Sequence, residues 1–122
     1  MKKILFVGSN DPVLIGLVRE IKKHHKKFIS LYATNTNDVI LECMKNTDIK
    51  IVVLVGRLMD VPYSPHTPTT LNLVPQIREG LGFGVKIIAA SSDKKFSEKL
   101  MGAGCDEDVG RENLLDRLLE LL

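Results

Sequence analysis

The side chains that could do chemistry are few, and they stand in the turns that follow short apolar runs. Asp11 follows the first such run, and Asp60 lies in the segment after the third. If these runs are strands of a parallel sheet, their carboxyl ends share one edge, where ligands and catalytic groups collect. A lone carboxylate is a weak Mg²⁺ site, because that ion prefers several anionic oxygen ligands. The sequence predicts no catalytic residue, no cofactor and at most weak metal binding at Asp11.

A second polar group, Asp60, Ser64 and His66, lies in the long segment after the third run. These residue types in one loop would suit a hydrolase. A nucleophilic serine of that kind usually sits on a sharp turn between a strand and a helix, whereas three prolines favour an extended segment here. We therefore interpret the grouping as accidental.

Bulk composition indicates one ordinary domain spanning residues 1–122. The chain is 44% hydrophobic and 26% charged, enough apolar residues for a full core, and its net charge of +2 gives no reason to expect nucleic acid. Cys43 and Cys105 lie far apart without metal-site spacing, so we expect two buried free thiols in a reducing cytoplasm. No apolar run approaches the ~20 residues of a membrane span.

Apolar runs and helical stripes alternate five times along the chain. Strands are predicted at residues 3–7, 28–33, 51–55, 85–90 and 105–109. Helices are predicted from Pro12 into the basic cluster at 22–27, over a second segment ending near Asn46, from Asn72, after Asp93, and from about Arg111 to Leu122. This alternation favours a parallel sheet with helices on both faces.

Two helix details carry specific expectations. Ile40, Leu41 and Met44 are predicted to form the buried stripe of the second helix. The third helix is predicted to begin at Asn72, because an earlier start would put Pro75 in the helix interior.

The last helix carries more leucine than one buried stripe needs. Leu114, Leu118 and Leu121 form one line along it, and Leu115, Leu119 and Leu122 form a second. A helix that is apolar over so wide an arc is either deeply buried or packed against a partner.

The long segment at 56–70 offers a second apolar surface, which includes Met59 and Tyr63. It exceeds the ~2–6 residues of an ordinary strand-to-helix connection. Either it contacts another protein or its apolar residues fold back over the sheet edge.

Three segments resemble the receiver domains of two-component response regulators. They are residues 3–7 followed by a polar turn and Asp11-Pro12, residues 86–92, and residues 101–107. The resemblance covers essentially the whole chain. It implies a flavodoxin-like (CheY-like) three-layer α/β sandwich, with a five-stranded parallel sheet in the order 2-1-3-4-5 and five helices on both faces.

The family's phosphorylation site is only partly retained by this resemblance. The acidic pair is reduced to Asp11, and the aspartate acceptor falls on Val55, or on Gly56 in a register shifted by one. Ser91 matches the switch Ser/Thr, and the lysine position falls on Arg111, or on Gly110 in a register shifted by one. The resemblance thus implies a degenerate receiver, or pseudo-receiver, without aspartate phosphorylation.

The resulting hypothesis is a non-enzymatic, cytoplasmic signalling or scaffold module that acts through protein–protein contacts. A partner or a second copy would bind through the last helix, because receivers commonly pair through that region, and neither nucleic acid nor membrane is expected. The alternative is a small flavodoxin-like ligand- or nucleotide-binding protein, or an enzyme, whose pocket is built from the loops at 8–12 and 56–70.

Overall fold

Strands and helices alternate in the computed structural model, which describes residues 2–8, 12–24, 27–55, 69–82 and 84–122. The strands are β1 (Lys2–Val7), β2 (Phe28–Ala33), β3 (Ile49–Leu54), β4 (Lys86–Ala89) and β5 (Glu107–Asp108). The helices are α1 (Pro12–His24), α2 (Thr36–Lys45), α3 (Thr69–Leu81), α4 (Lys94–Ala103) and α5 (Leu114–Leu121).

The five strands form one parallel sheet in the order β2-β1-β3-β4-β5. The predicted flavodoxin-like fold is confirmed. Short runs rich in valine and isoleucine suit strands that are covered on both faces, and β3, whose last four residues are all buried, is the central strand. The β1–β3 register shifts by one residue after Lys3.

Alternate side chains of the sheet point to two faces, and each face has its own core. The face covered by α1 and α5, called the α1–α5 face, includes Ile4, Phe6, Ile51, Val53, Val18, Ile21, Leu114 and Leu118. The face covered by α2, α3 and α4, called the α2–α4 face, includes Leu5, Val7, Val52, Leu54, Val39, Cys43, Leu73, Val74, Ile77 and Leu100. The carboxyl edge of the sheet thus lies between two rigid layers.

Two helices begin with the capping residues that their sequences favour. The Asn35 side chain accepts a hydrogen bond from the Asp38 N–H at 2.9 Å at the start of α2. Asp93 accepts from Lys95 and Phe96 at the start of α4, as predicted. Helix α4 ends at Gly104, whose φ of 121° is one that residues with a side chain rarely adopt.

The predicted start of α3 is wrong. The helix begins at Thr69, three residues before Asn72, and Pro75 lies in its interior with an exposed side chain. Leu73, Val74 and Ile77 are nearly fully buried on the α2–α4 face. Burial of three such side chains contributes several kcal/mol, about 1.5–3 each, which outweighs the cost of one helical proline.

The ends of β5 and α5 also differ from prediction. Strand β5 holds only Glu107–Asp108, because the Cys105 N–H donates to the Leu100 carbonyl at 3.2 Å and so closes α4 instead. Residues 111–113 form a turn, and α5 begins at Leu114.

The predicted buried stripe of α2 is wrong. Val39 and Cys43 point into the core, whereas Ile40, Leu41 and Met44 are 39%, 47% and 72% exposed. The helix is rotated by about one residue from the predicted orientation, and it buries the smaller side chains.

Arg78 fastens α3 to the sheet and to the end of α4. Its guanidinium donates to the Val85 carbonyl at 2.7 Å, the Gly104 carbonyl at 3.1 Å and the Asp106 carboxylate at 3.0 Å. The same carboxylate accepts from the Ile87 N–H at 2.7 Å. This network fixes the segment that leads into β5.

Candidate functional site

The strand ends at the centre of the sheet are held side by side by backbone hydrogen bonds. Just past β3, the Val55 N–H donates to the Val7 carbonyl at 2.9 Å. Just past β4, the Ala90 N–H donates to the Leu54 carbonyl at 2.9 Å. Parallel sheets gather ligands at this edge, and Val55 stands at its middle.

Val55 is 3% exposed and packs in the apolar core of the α1–α5 face. Its side chain has no atom that could accept a phosphoryl group. At Val55, the first of the two positions that the resemblance assigns to the acceptor, the structure therefore has a buried hydrocarbon side chain.

Arg111 reaches this same point from the turn before α5. Its Nη2 donates to the Val55 backbone carbonyl at 3.1 Å, although the two residues are 56 positions apart in the chain. The guanidinium is half-buried. The structure thus brings together two of the residues singled out from the sequence.

Ser91 lies beside them and takes part in the start of α4. Its hydroxyl oxygen accepts a hydrogen bond from the Asp93 N–H at 3.1 Å. Its carbonyl accepts from the hydroxyl of Ser97, a nearly fully buried polar residue, at 3.4 Å. The Ser91 hydroxyl is therefore held in a defined position.

A polar depression of about 340 Å³ joins the turn after β4 to the turn after β5. Ser91 and Arg111 both line it, with Lys94, Asp108 and Asn113. It can hold a small polar molecule or water. The lining carries two cationic side chains, Lys94 and Arg111, and two carboxylates, Asp108 and Glu112. The depression therefore has no strong preference for a ligand of either charge.

The described residues do not include four of the predicted site residues, namely Asp11, Gly56, Met59 and Tyr63. Of the two loops proposed as a ligand pocket, only Gly8, Pro12 and residues 69–70 are described. Among the described side chains, no group of three or more His, Cys, Asp or Glu could hold a metal ion. The predictions for Mg²⁺ and for a ligand pocket stay predictions.

Two of the three leucines predicted as a partner surface on α5 are core residues. Leu114 is 1% exposed and Leu118 is fully buried, because both pack against the α1–α5 face of the sheet. A partner could not reach them in the folded domain, so this part of the prediction is wrong. Leu121 is half-buried, as are Leu115, Leu119 and Leu122.

An apolar groove between α2 and α3 was missed at the sequence level. It encloses about 500 Å³ and is lined mainly by apolar side chains, among them Ile40, Met44, Leu73 and Ile77. The sequence of α2 contains two possible buried stripes, one through Val39 and Cys43 and one through Ile40 and Met44. Only the tertiary structure decides which of them faces the core.

Both cysteines are free and buried, as predicted. Burial, followed by the nearby Glu42 charge, raises the pKa of the Cys43 thiol to about 11. Burial, followed by the Asp106 charge, raises the pKa of the Cys105 thiol to about 12. Because the thiolate is the reactive form, we expect neither thiol to act as a nucleophile at neutral pH.

No helix within the described ranges is long and apolar enough to cross a membrane. No protein-family model and no curated protein match this chain.

Solved structures of response regulators share its architecture. A response regulator from Thermotoga maritima is 20% identical with a TM-score of 0.69, and the match covers 99% of this chain and 94% of that one. A response regulator protein from Burkholderia pseudomallei, solved with a phosphorylated aspartic acid, a calcium ion and citrate, has a TM-score of 0.75 at 12% identity. That match covers 98% of this chain and 65% of the other.

A complex between the P1 domain of CheA3 and CheY6 from R. sphaeroides supplies a further match. It has a TM-score of 0.65 at 15% identity and covers 99% of this chain and 95% of that one. The chain therefore has the fold of response-regulator receiver domains.

Proposed function

We propose that this chain is a receiver-like signalling or scaffold module that works through protein–protein contacts, without phosphorylation of an aspartate and without enzymatic activity. The observation that carries the proposal is the pair formed by Val55 and Arg111. An apolar side chain stands at Val55, which together with Gly56 is where the resemblance assigns a receiver's acceptor, and a guanidinium is bound to the Val55 carbonyl.

Phosphoryl transfer to a receiver needs three parts at one place. It needs a carboxylate nucleophile, a divalent cation that neutralises phosphoryl oxygens, and fixed donors for the developing charge. Ser91 and Arg111 could supply donors, but Val55 supplies no nucleophile. Donors without a nucleophile do not make a phosphorylation switch.

Action through contacts is supported by the fold and by the apolar surface. CheY6, in a structure of similar fold, is bound to the P1 domain of CheA3. In this chain Ile40, Leu41 and Met44 are exposed on α2, beside the groove that α2 forms with α3. A partner or homodimer surface on the last helix rests on Leu121 and its half-buried neighbours, and Met59 and Tyr63 remain candidates.

We place the module in the cytoplasm, because unpaired buried thiols suit a reducing compartment.

The phosphorylation part is tested by backbone amide NMR, with and without Mg²⁺ plus beryllofluoride, which mimics a phosphoryl group. We expect no shift of the Val55, Ser91 and Arg111 amides, while a phosphorylatable receiver in the same buffer shifts. Shifts converging on Asp11, Gly56 and Ser91 would contradict the proposal, since they would reveal a working acidic site.

The contact part is tested by substitution on the last helix. Leu118 is unsuitable, because its burial means that a glutamate there would unfold the domain. Leu121→Glu changes a half-buried residue instead and should reduce binding of a partner protein, with the circular dichroism spectrum unchanged. Copurification of a ligand that absorbs ultraviolet light would favour the ligand-binding alternative.

A further inference from the structure

The two edge strands of the sheet differ in how they are protected against pairing with another chain. Strand β5 is two residues long and acidic, and its Glu107 is held in ion pairs with Lys86 and Arg117. Short, charged edges resist edge-to-edge pairing. Strand β2 has six residues, Phe28–Ala33, with no charge and no proline.

Strand β2 is also regular along its length. All six of its residues pair in continuous register with β1, from Phe28 opposite Lys2 to Ala33 opposite Val7, without a bulge. β1 is its strand neighbour on the inner side, and among the described strands none lies on the outer side. Its outer backbone groups therefore form a straight template for another strand.

Large apolar side chains are exposed on both faces of this edge. Ile29 is 36% exposed and Tyr32 is 46% exposed. Successive strand residues alternate between faces, so Ile29 lies on the α2–α4 face and Tyr32 on the α1–α5 face, where its ring stacks on Phe6 at 5.8 Å between centroids. An added strand would cover both side chains at once.

Charges beside β2 have opposite signs at its two ends. Exposed Lys27 comes directly before the strand, and Asp38 lies in the first turn of α2, directly after it. Helix α2 runs back toward the start of β2, so Lys45 in its last turn adds a cation at the Lys27 end. Two copies of β2 placed antiparallel bring the basic end of each toward the acidic end of the other.

We propose that β2 is a self-association edge, on which a second copy of this chain adds its own β2 in antiparallel orientation. A two-fold axis perpendicular to the sheet keeps the faces matched and joins the two sheets into one. When the two-fold axis passes beside Ser30, Ile29 lies opposite the partner's Leu31, and Tyr32 lies opposite the partner's Phe28. These are an aliphatic pair and an aromatic pair of the kind that stabilise antiparallel strands.

The proposal goes beyond the proposed function, since it places the second copy at the opposite edge from β5 and away from the last helix. An interface made mainly by one strand is small, so the dimer is weak and depends on concentration.

Sedimentation velocity over a range of micromolar to millimolar concentrations tests the proposal. The wild-type chain should move from the mass of one chain toward the mass of two. Ile29→Lys together with Tyr32→Lys should weaken association roughly tenfold or more, because ammonium groups would be buried at the junction without partners. Met101→Lys is the matched control, since Met101 is also 38% exposed but lies on α4; it should leave association unchanged.

Amide hydrogen exchange and a swap of two charged side chains provide independent tests. Amide protection of residues 28–33 should rise with protein concentration. Lys27→Glu and Asp38→Lys should each weaken the dimer, and the double variant should restore it, because the opposite charges are then exchanged across the axis.

A wild-type chain that stays monomeric at every concentration would overturn the proposal. So would a dimer that survives the Ile29/Tyr32 double substitution, or one that is lost in Leu121→Glu and kept in Ile29→Lys. Circular dichroism of every variant establishes that the comparison is between folded proteins.

Discussion

The Arg111 guanidinium donates a hydrogen bond from Nη2 to the backbone carbonyl of Val55 at 3.1 Å. This contact joins the turn before α5 to the end of the central strand. It also sets a permanent cation beside Val55, one of the two positions to which the resemblance to receivers assigns the phosphoryl acceptor.

Removal of this contact should destabilise the domain. We expect Arg111→Ala to lower the free energy of unfolding by about 1–2 kcal/mol, since a part-buried carbonyl loses a charged donor. Arg111→Lys should fall between alanine and wild type, because lysine keeps the charge but lacks the planar fork of donors. Urea denaturation measures both. Glu112→Ala, at the exposed neighbouring position, is the control, and equal stability of the two alanine variants would contradict the role assigned to Arg111.

The Glu107–Arg117 pair should make stability depend on pH in one direction. The hydrogen bond from Arg117, followed by that from Lys86, lowers the pKa of Glu107. A carboxyl group whose pKa is lowered by folding stabilises the folded state above its unfolded pKa, and this contribution is lost as the pH falls through the folded pKa. Glu107→Gln should therefore be less stable than wild type at neutral pH, and the difference should vanish in acid.

The difference between the two free energies of unfolding is measured by urea denaturation at a series of pH values, from pH 7 down to the most acidic pH at which both proteins still fold. Lys3 lowers the pKa of Asp48 in the same way. Because both proteins keep Asp48, its contribution cancels in the comparison and Glu107 is isolated. A difference that is independent of pH would contradict the assignment.

Both thiols should be unreactive in the folded domain. Cys43 and Cys105 are 8% and 7% exposed, and burial raises the pKa of each. A thiol-specific chromogenic disulfide at pH 8 should label neither within the time in which the urea-unfolded chain is fully labelled. Cys43→Ser and Cys105→Ser, studied separately, assign any slow labelling to one thiol. Rapid labelling of either cysteine without denaturant would show that its thiol is accessible.

The order of the elements and the sheet could be predicted from the sequence because buried parallel strands are nearly continuous apolar runs. The run from Ile51 to Val55 includes most of β3 and ends beside the carboxyl ends of β1 and β4. Ser91 and Arg111 were singled out by the resemblance to receivers, at positions shortly after β4 and β5. Their neighbourhood follows from topology, since parallel strands present their carboxyl ends at one edge.

The contact between Arg111 and Val55 could not be predicted, because a backbone carbonyl has no residue-type signal. The buried face of α2 was predicted wrongly for a related reason. Its two candidate stripes differ by one position, and hydrophobicity favours the larger side chains of Ile40 and Met44 over Val39 and Cys43. In the structure Val39 and Cys43 pack in the core of the α2–α4 face, and only the tertiary structure distinguishes the two stripes. The same limit applies to α5. Its leucines cover a wide arc, so the sequence does not reveal that the line of leucines containing Leu118 is the buried one.

Pro75 offers a test of where α3 begins. In a helix that starts at Thr69, Pro75 has no N–H to donate to the Leu71 carbonyl four residues earlier, and its ring crowds that carbonyl. Pro75→Ala should restore the hydrogen bond and raise the free energy of unfolding by about 1–3 kcal/mol, although the more flexible unfolded chain offsets roughly 0.4–1 kcal/mol of the gain. Gln76→Ala, at the next exposed position, should be nearly neutral. The new amide at position 75 should also exchange slowly with solvent, whereas a helix beginning at Asn72 would leave it unprotected and the stability unchanged.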